Sequence, residues 1–156
     1  MKKVLFISSA GGHLSELMQM EYLINKYESY IVTEKTESTI NLKNIYGNRI
    51  SFLIHTSRKP FIKFLFKFIF NIIKSIIIYF KYRPDVIVTT GANCVIPICY
   101  IGKIMRSKIV YIESFARVES LSLTGKNLKS ISDLFFVQHR ELKEKFQDTI
   151  YEGRLF

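Results

Sequence analysis

The chain has 156 residues, 48% hydrophobic and 23% charged, which is enough for one domain with a real core and too apolar for a disordered segment. Its 23 Lys+Arg against 13 Asp+Glu give a formal charge of +10 and point to an anionic partner: a nucleic acid, an acidic membrane surface or a phosphorylated substrate. The two cysteines, Cys94 and Cys99, share one apolar run at a spacing that excludes a Cys-x-x-Cys redox or zinc pair, so buried free thiols in a reducing cytoplasm are expected.

Met1-Lys2-Lys3 leads straight into an apolar strand at residues 4–7, so no cleavable signal peptide is expected. The strand breaks into Ser8-Ser9-Ala10-Gly11-Gly12-His13, and a helix starts near His13 or Leu14. Glycines at such a turn let the backbone approach a ligand, and the amides opening the helix favour an anion. The sequence is neither a Walker loop nor a Gly-x-Gly-x-x-Gly fingerprint; the alternative is a tight turn whose glycines only satisfy backbone geometry. Leu17, Met20, Ile24 and Tyr27 recur at helical spacing as the core face of a first helix. Residues 30–33 are a second strand, 34–48 a polar stretch ending in a Gly47-Asn48 turn, and 49–55 a third strand. Residues 56–60 break it, with Pro60 suited to a helix start.

Residues 61–82 form the most unusual segment. The polar residues Lys63, Lys67, Asn71 and Lys74 make one narrow stripe on a helix otherwise built from Phe, Ile, Leu and Tyr, apart from Ser75 and Lys81. A membrane span is disfavoured, since each lysine near mid-bilayer costs roughly 2.5–3.5 kcal/mol. A basic amphipathic helix lying in the membrane interface is expected, with Lys63, Lys67 and Lys74 among the headgroups and an apolar face that includes Phe64 and Phe68 sunk below. The competing expectation is a core helix, covered by the sheet on one side and a partner on the other.

Arg83-Pro84-Asp85 ends this helix, and residues 86–90 are a buried fourth strand that stops at Gly91-Ala92-Asn93. Residues 94–105 are a buried helix, and 108–112 a fifth strand ending at Glu113-Ser114. A carboxylate at the end of a parallel strand commonly meets a hydroxyl or ribose. A short helix and basic loop carrying Arg117 follow over 115–129, then a strand at 134–137, a helix at 139–146 and a last short strand at 149–151. His55 and His139 have no motif around them and are expected at the surface. Strands alternating with helices predict an α/β fold, a Rossmann-like parallel sheet flanked by helices in one domain spanning 1–156. The three turns at Gly11-Gly12-His13, Gly91-Ala92-Asn93 and Glu113-Ser114 then converge on one sheet edge, where such folds bind ligands.

Four stretches, Ser9 to Glu16, Thr90-Gly-Ala-Asn93, Tyr111 to Val118 and Tyr151-Glu-Gly-Arg-Leu-Phe156, occur in an order and spacing that resemble the acceptor-side subunit of split GT-B glycosyltransferases. That family includes the membrane-anchoring subunit of the eukaryotic transferase that adds the second N-acetylglucosamine to dolichol-linked oligosaccharide. It also includes the bacterial galactosyltransferase enhancer proteins of capsule and exopolysaccharide synthesis. A more distant similarity is to the N-terminal domain of MurG, although this chain has one glycine pair instead of a doubled loop. No counterpart of the eukaryotic subunit's N-terminal membrane span is expected, and residues 61–80 are expected to serve that end.

The resemblance implies the N-terminal half of a GT-B fold, working as a peripheral protein at the cytoplasmic face of the plasma membrane. The partner is a separate donor-binding subunit that holds the UDP-sugar, so no cofactor and no metal is expected on this chain, which lacks Asp-x-Asp. The acceptor is a polyprenyl-diphosphate-linked glycan contacted by Gly11, Gly12, His13, Glu16, Gly91, Asn93, Glu113, Ser114 and Arg117. His13 is the candidate general base or diphosphate contact, because histidine as a residue type changes charge near neutral pH. Glu113 is better suited to orienting a hydroxyl. The tail at 151–156, through Tyr151, Gly153, Leu155 and Phe156, is the docking segment for the partner in a heterodimer, and the chain alone is expected to be inactive. The alternative is a non-catalytic scaffold that only anchors the partner. Nucleic acid is disfavoured, because the lysine stripe is interleaved with Phe and Ile and no nucleic-acid module is present.

Overall fold

The structure, a computed structural model, describes residues 1–56 and 60–155. The strand break expected at 56–60 lies largely outside these residues, as does the docking residue Phe156. Six strands, β1 (Lys3–Ser8), β2 (Glu28–Lys35), β3 (Ile50–Ile54), β4 (Val86–Gly91), β5 (Lys108–Ile112) and β6 (Leu134–Phe136), form one sheet in the order β3-β2-β1-β4-β5-β6. Every pairing is parallel: Phe6 lies opposite Ile31 on one side and Val88 on the other, and Tyr111 lies opposite Phe135. The order reverses between β1 and β4, which opens a crevice at their carboxyl ends.

The seven helices are α1 (Gly12–Met18), α2 (Glu21–Lys26), α3 (Leu42–Tyr46), α4 (Phe61–Tyr82), α5 (Ile96–Ile104), α6 (Leu123–Leu128) and α7 (Arg140–Lys145) among the described residues. Alternate strand residues feed two cores. Leu5, Ile7, Ile87 and Ile109 pack with Ile78, Tyr79 and Tyr82 of α4 and Ile98 and Cys99 of α5, whereas Phe6, Ile31 and Val88 pack with Leu17, Met20 and Ile24. Both cysteines are free and buried; burial pushes the Cys99 thiol up to about 12 and Cys94 well above its ordinary value, which keeps both unreactive.

Several local expectations are corrected. The apolar series from Leu17 to Tyr27 belongs to two helices, because Gln19 and Met20 donate to the carbonyls three residues back and tighten the chain there. The series still faces one core, and spacing alone does not register such a turn. The segment 94–105 opens with a one-turn 3-10 helix (Asn93–Val95) before α5, and Tyr100, Ile104 and Met105 are exposed, so only one face of it is buried. In place of a seventh strand there is a single parallel bridge between Ile150 and Phe136. His139 is buried, not at the surface: its Nε2–H donates to the Phe115 carbonyl at 2.7 Å, and its ring packs on Phe115.

The main correction concerns α4. Its limits match the expectation, but its polar stripe faces the protein. Asn71 is fully buried, with Oδ1 accepting from Ile54 N–H at 2.8 Å and Nδ2 donating to the Ile54 carbonyl at 2.8 Å. Lys67 Nζ donates to the His55 carbonyl and Lys74 Nζ to the Phe52 carbonyl, both at 3.1 Å. The cause is β3, an edge strand whose outward backbone groups need partners. Each such group left unpaired in a buried setting costs about 1–3 kcal/mol, so Asn71 and Lys74 are tied to the sheet edge, while Lys67 reaches the same edge and stays exposed. Phe64 and Phe68, expected in the lipid-facing surface, are half-buried and stacked on each other at 5.7 Å. Lys63 is exposed. The outward face is Ile62, Phe66, Phe70, Ile73, Ile77 and Phe80, each 50–69% exposed. Because α4 runs antiparallel to β3 and Asn71 meets its last residue, the ten residues before Asn71, about 15 Å of helix, stand beyond the carboxyl edge of the sheet.

Candidate functional site

The crevice between β1 and β4 is bridged by one residue. His13, in the first turn of α1, donates from Nδ1 to the Thr90 carbonyl at 2.9 Å, and Thr90 Oγ1 donates back to the His13 carbonyl at 2.7 Å. A carbonyl only accepts, so Nδ1 carries a proton and the neutral ring presents its lone pair at Nε2. The ring is thereby fixed in tautomer and direction. It lines a cavity of about 190 Å³ with Ala92, Asn93, Arg117, Ser122, Leu123 and Thr124.

Each wall has a local cause. Gly11 and Gly91 take φ of +81° and +107°, which favours glycine, and open space lies where a Cβ of Gly11 or Gly12 would be. Ala92 continues at φ +76°, an uncommon conformation for a residue with a Cβ, and delivers Asn93 to the cavity. The Asn93 Nδ2 is buried and has no hydrogen-bond partner among the described residues. Arg117 is exposed on the loop after β5 and is the only Lys or Arg side chain lining the cavity among the described residues.

The carboxylates are placed differently from expectation. Glu113 is fully buried: Oε1 accepts from Ser114 N–H at 3.0 Å and Tyr111 O–H at 3.3 Å, and Oε2 from Ser122 N–H at 2.9 Å and Ser122 O–H at 3.2 Å. Burial, and then the charge of Glu113, pushes the Tyr111 hydroxyl far above its ordinary range, so it stays a donor. Glu16 is also buried; its Oε1 accepts from Ser114 O–H at 2.8 Å and Phe115 N–H at 3.1 Å. Glu113, Glu16 and Ser114 thus hold the loop from beneath and are not among the residues that line the cavity.

His13, Asn93 and Arg117 are the expected site residues that come together. Ser122, Leu123 and Thr124 escaped the sequence reading. Their signal is Ser122 three residues before Gly125, an N-cap whose Oγ accepts from Gly125 N–H at 2.9 Å and places the start of α6 at the cavity. Among the described residues no group of three His, Cys, Asp or Glu side chains could hold a metal.

A second cavity, about 370 Å³ and largely apolar, lies on the face that carries α1 and α2. Val88, Val110, Ile112 and Phe136 are among its apolar walls, and residues 152–155 run along it. Gly153 and Leu155 line it, whereas Tyr151 packs in the opposite core. The expected docking tail is folded back as far as Leu155, which is half-buried on its own sheet.

A six-stranded parallel sheet in this order, with its site at the β1–β4 switch point, defines the chain as a Rossmann-like domain of the kind that forms the N-terminal half of GT-B proteins. Solved structures agree on the fold. MurG of Acinetobacter baumannii superposes with a TM-score of 0.68 at 12% identity, covering 88% of this chain and 41% of that one. UDP-N-acetylglucosamine 2-epimerase of Rickettsia bellii superposes with a TM-score of 0.72 at 17% identity, covering 99% of this chain and 45% of the other. The chain thus spans less than half the length of either.

The family described as "Oligosaccharide biosynthesis protein Alg14 like" matches residues 4–155, and the chain belongs to it. Its relatives include the UDP-N-acetylglucosamine transferase subunit ALG14 of Mus musculus, 28% identical over 98% of this chain and 82% of the mouse protein. The subunit of the same name in Candida albicans is 30% identical over 94% of this chain and 74% of its own length.

Proposed function

We propose that this chain is the acceptor-side subunit of a two-component, UDP-sugar-dependent glycosyltransferase acting on a polyprenyl-diphosphate-linked glycan at the cytoplasmic face of a membrane. The observation that carries the reading is the His13 ring, fixed across the switch point by Thr90 and opening on a cavity with Asn93 and Arg117. Family membership and relatives that are transferase subunits support it.

In this reading Arg117 and the unpaired Asn93 amide meet the acceptor diphosphate, and Nε2 of His13 faces the acceptor hydroxyl. That hydroxyl oxygen attacks the anomeric carbon of the UDP-sugar, the bond to UDP breaks with its electron pair leaving on UDP, and the hydroxyl proton passes to Nε2. The donor lies on the partner subunit, which docks along the tail and the apolar cavity beside it. Capsular or exopolysaccharide synthesis is the setting that the motif resemblance implies. Reconstitution tests the core of this reading. The purified chain alone is expected to transfer no sugar, and addition of the donor-binding subunit is expected to give UDP-sugar-dependent transfer onto a polyprenyl-diphosphate glycan. Full activity from the chain alone overturns it.

Membrane contact is assigned to the outward apolar face of α4, flanked by the exposed cations Lys63, Lys81 and Arg83. No helix among the described residues is long and apolar enough to cross a membrane. An interfacial helix is held by apolar burial plus attraction to anionic lipid. The chain is expected to sediment with anionic vesicles and to be partly released by high salt. Phe66→Glu together with Ile73→Glu should abolish sedimentation while leaving the circular dichroism unchanged. Undiminished sedimentation of that variant would move the membrane contact elsewhere.

A further inference from the structure

We infer that Gln138 is a positioning residue that couples the partner-docking tail to the acceptor cavity; its functional meaning rests on the acceptor and docking readings above. Gln138 is buried just after β6 and spends both ends of its amide on two distant segments. Its Oε1 accepts from the Leu155 N–H at 2.9 Å, and its Nε2 donates to the Glu113 carbonyl at 3.0 Å. Glu113 is the residue whose carboxylate gathers Ser114 and Ser122, the two ends of the loop that carries Arg117.

The neighbouring tail residue reaches the same loop by a second route. The Arg154 guanidinium lies 5.5 Å from the Phe115 ring centroid. Phe115 accepts from His139 at its carbonyl and donates its N–H to Glu16, a residue of the helix that carries His13. Adjacent tail positions 154 and 155 are thus connected to both walls of the cavity, α1 through Glu16 and the β5–α6 loop through Glu113. Neither route touches the cavity itself.

A chain of buried hydrogen bonds polarises cooperatively and has few alternative geometries. Docking that orders residues 152–155 therefore orders the Gln138 amide and, through it, the loop that presents Arg117, Ser122 and Thr124. Thermodynamic linkage makes the effect reciprocal, so occupation of the cavity tightens tail docking by the same factor. Such couplings typically amount to about 5–150-fold.

The test uses the full chain with inorganic pyrophosphate as the probe of the cavity, read by calorimetry and by the His13 ring resonances. Leu155→Pro removes the tail N–H together with the leucine side chain and fixes φ, Leu155→Ala removes the side chain but keeps the N–H, and Gln138→Met keeps the volume but removes both bonds. Leu155→Pro and Gln138→Met are each expected to weaken pyrophosphate binding about tenfold, with the double variant no weaker than either, because the two changes cut one connection. Leu155→Ala should stay within about twofold of the unmodified chain, an outcome that a merely space-filling tail would not separate from the proline variant. Unaltered affinity in Leu155→Pro, or a multiplicative loss of about a hundredfold in the double variant, overturns the coupling. Should the unmodified chain bind pyrophosphate no better than an Arg117→Ala variant, the acceptor reading itself fails. Amide hydrogen exchange across 114–122 then decides the coupling separately: faster exchange in Leu155→Pro than in Leu155→Ala upholds it, and equal exchange refutes it.

Discussion

His13→Ala in the two-subunit complex is expected to lower sugar transfer at least about a hundredfold, the loss that follows removal of a general base. The geometry gives the variant a sharp companion. His13→Gln can still donate to the Thr90 carbonyl and fill much of the ring's space, but it has no lone pair that takes up a proton at neutral pH. If His13 is the base, glutamine should be as damaging as alanine, and both losses should fall on kcat. Should glutamine restore most of the rate, His13 holds the β1–β4 crevice together and contacts the acceptor without accepting its proton. A loss under threefold for both, measured in the reconstituted complex, would leave the scaffold reading in possession: a subunit that anchors its partner and takes no part in the chemistry.

The largest effect on stability is expected from Glu113→Ala. The carboxylate receives two backbone N–H groups and two hydroxyls; Ser114 and Tyr111 are buried, and Ser122 is half-buried beside the cavity. Two stranded N–H groups at roughly 1–3 kcal/mol each put the cost near 3 kcal/mol. For a chain of this size that lowers the thermal midpoint by about 6–12 °C. Gly125→Ala should destabilise through the same contact, because a Cβ there would lie 2.2 Å from Glu113 Oε2, and this carboxylate is held on all sides. Calorimetry on both variants checks the assignment. If Glu113→Ala melts like the unmodified protein but raises the acceptor KM, the residue faces the ligand after all.

The contrast between His13 and the carboxylates explains how much of the site could be read from residues alone. His13, Asn93 and Arg117 follow strand ends, and a strand end's place on the sheet edge is settled by the alternation of strands and helices. Glu16 and Glu113 follow the same rule and were expected beside them. Their partners decided otherwise: Ser114 lies 98 positions from Glu16, and Ser122 lies across a loop from Glu113. Whether a carboxylate at a strand end serves a ligand or its own loop depends on which backbone N–H groups fold over it. His139 was misplaced for the same reason, since its partner is a carbonyl 24 positions away.

The amino-acid sequence by itself determined the six parallel strands, the limits of α4, the buried thiols and the edge on which the turns gather. These follow from local causes: apolar period, glycine at positive φ, and the rule that parallel strands need crossovers. Only the tertiary structure decided which way α4 faces. A stripe of lysines and an asparagine reads identically whether it meets water, lipid headgroups or backbone. Here the unpaired groups of edge strand β3 claim Lys67, Asn71 and Lys74, and the helix turns its phenylalanines and isoleucines outward because its polar side is already spent.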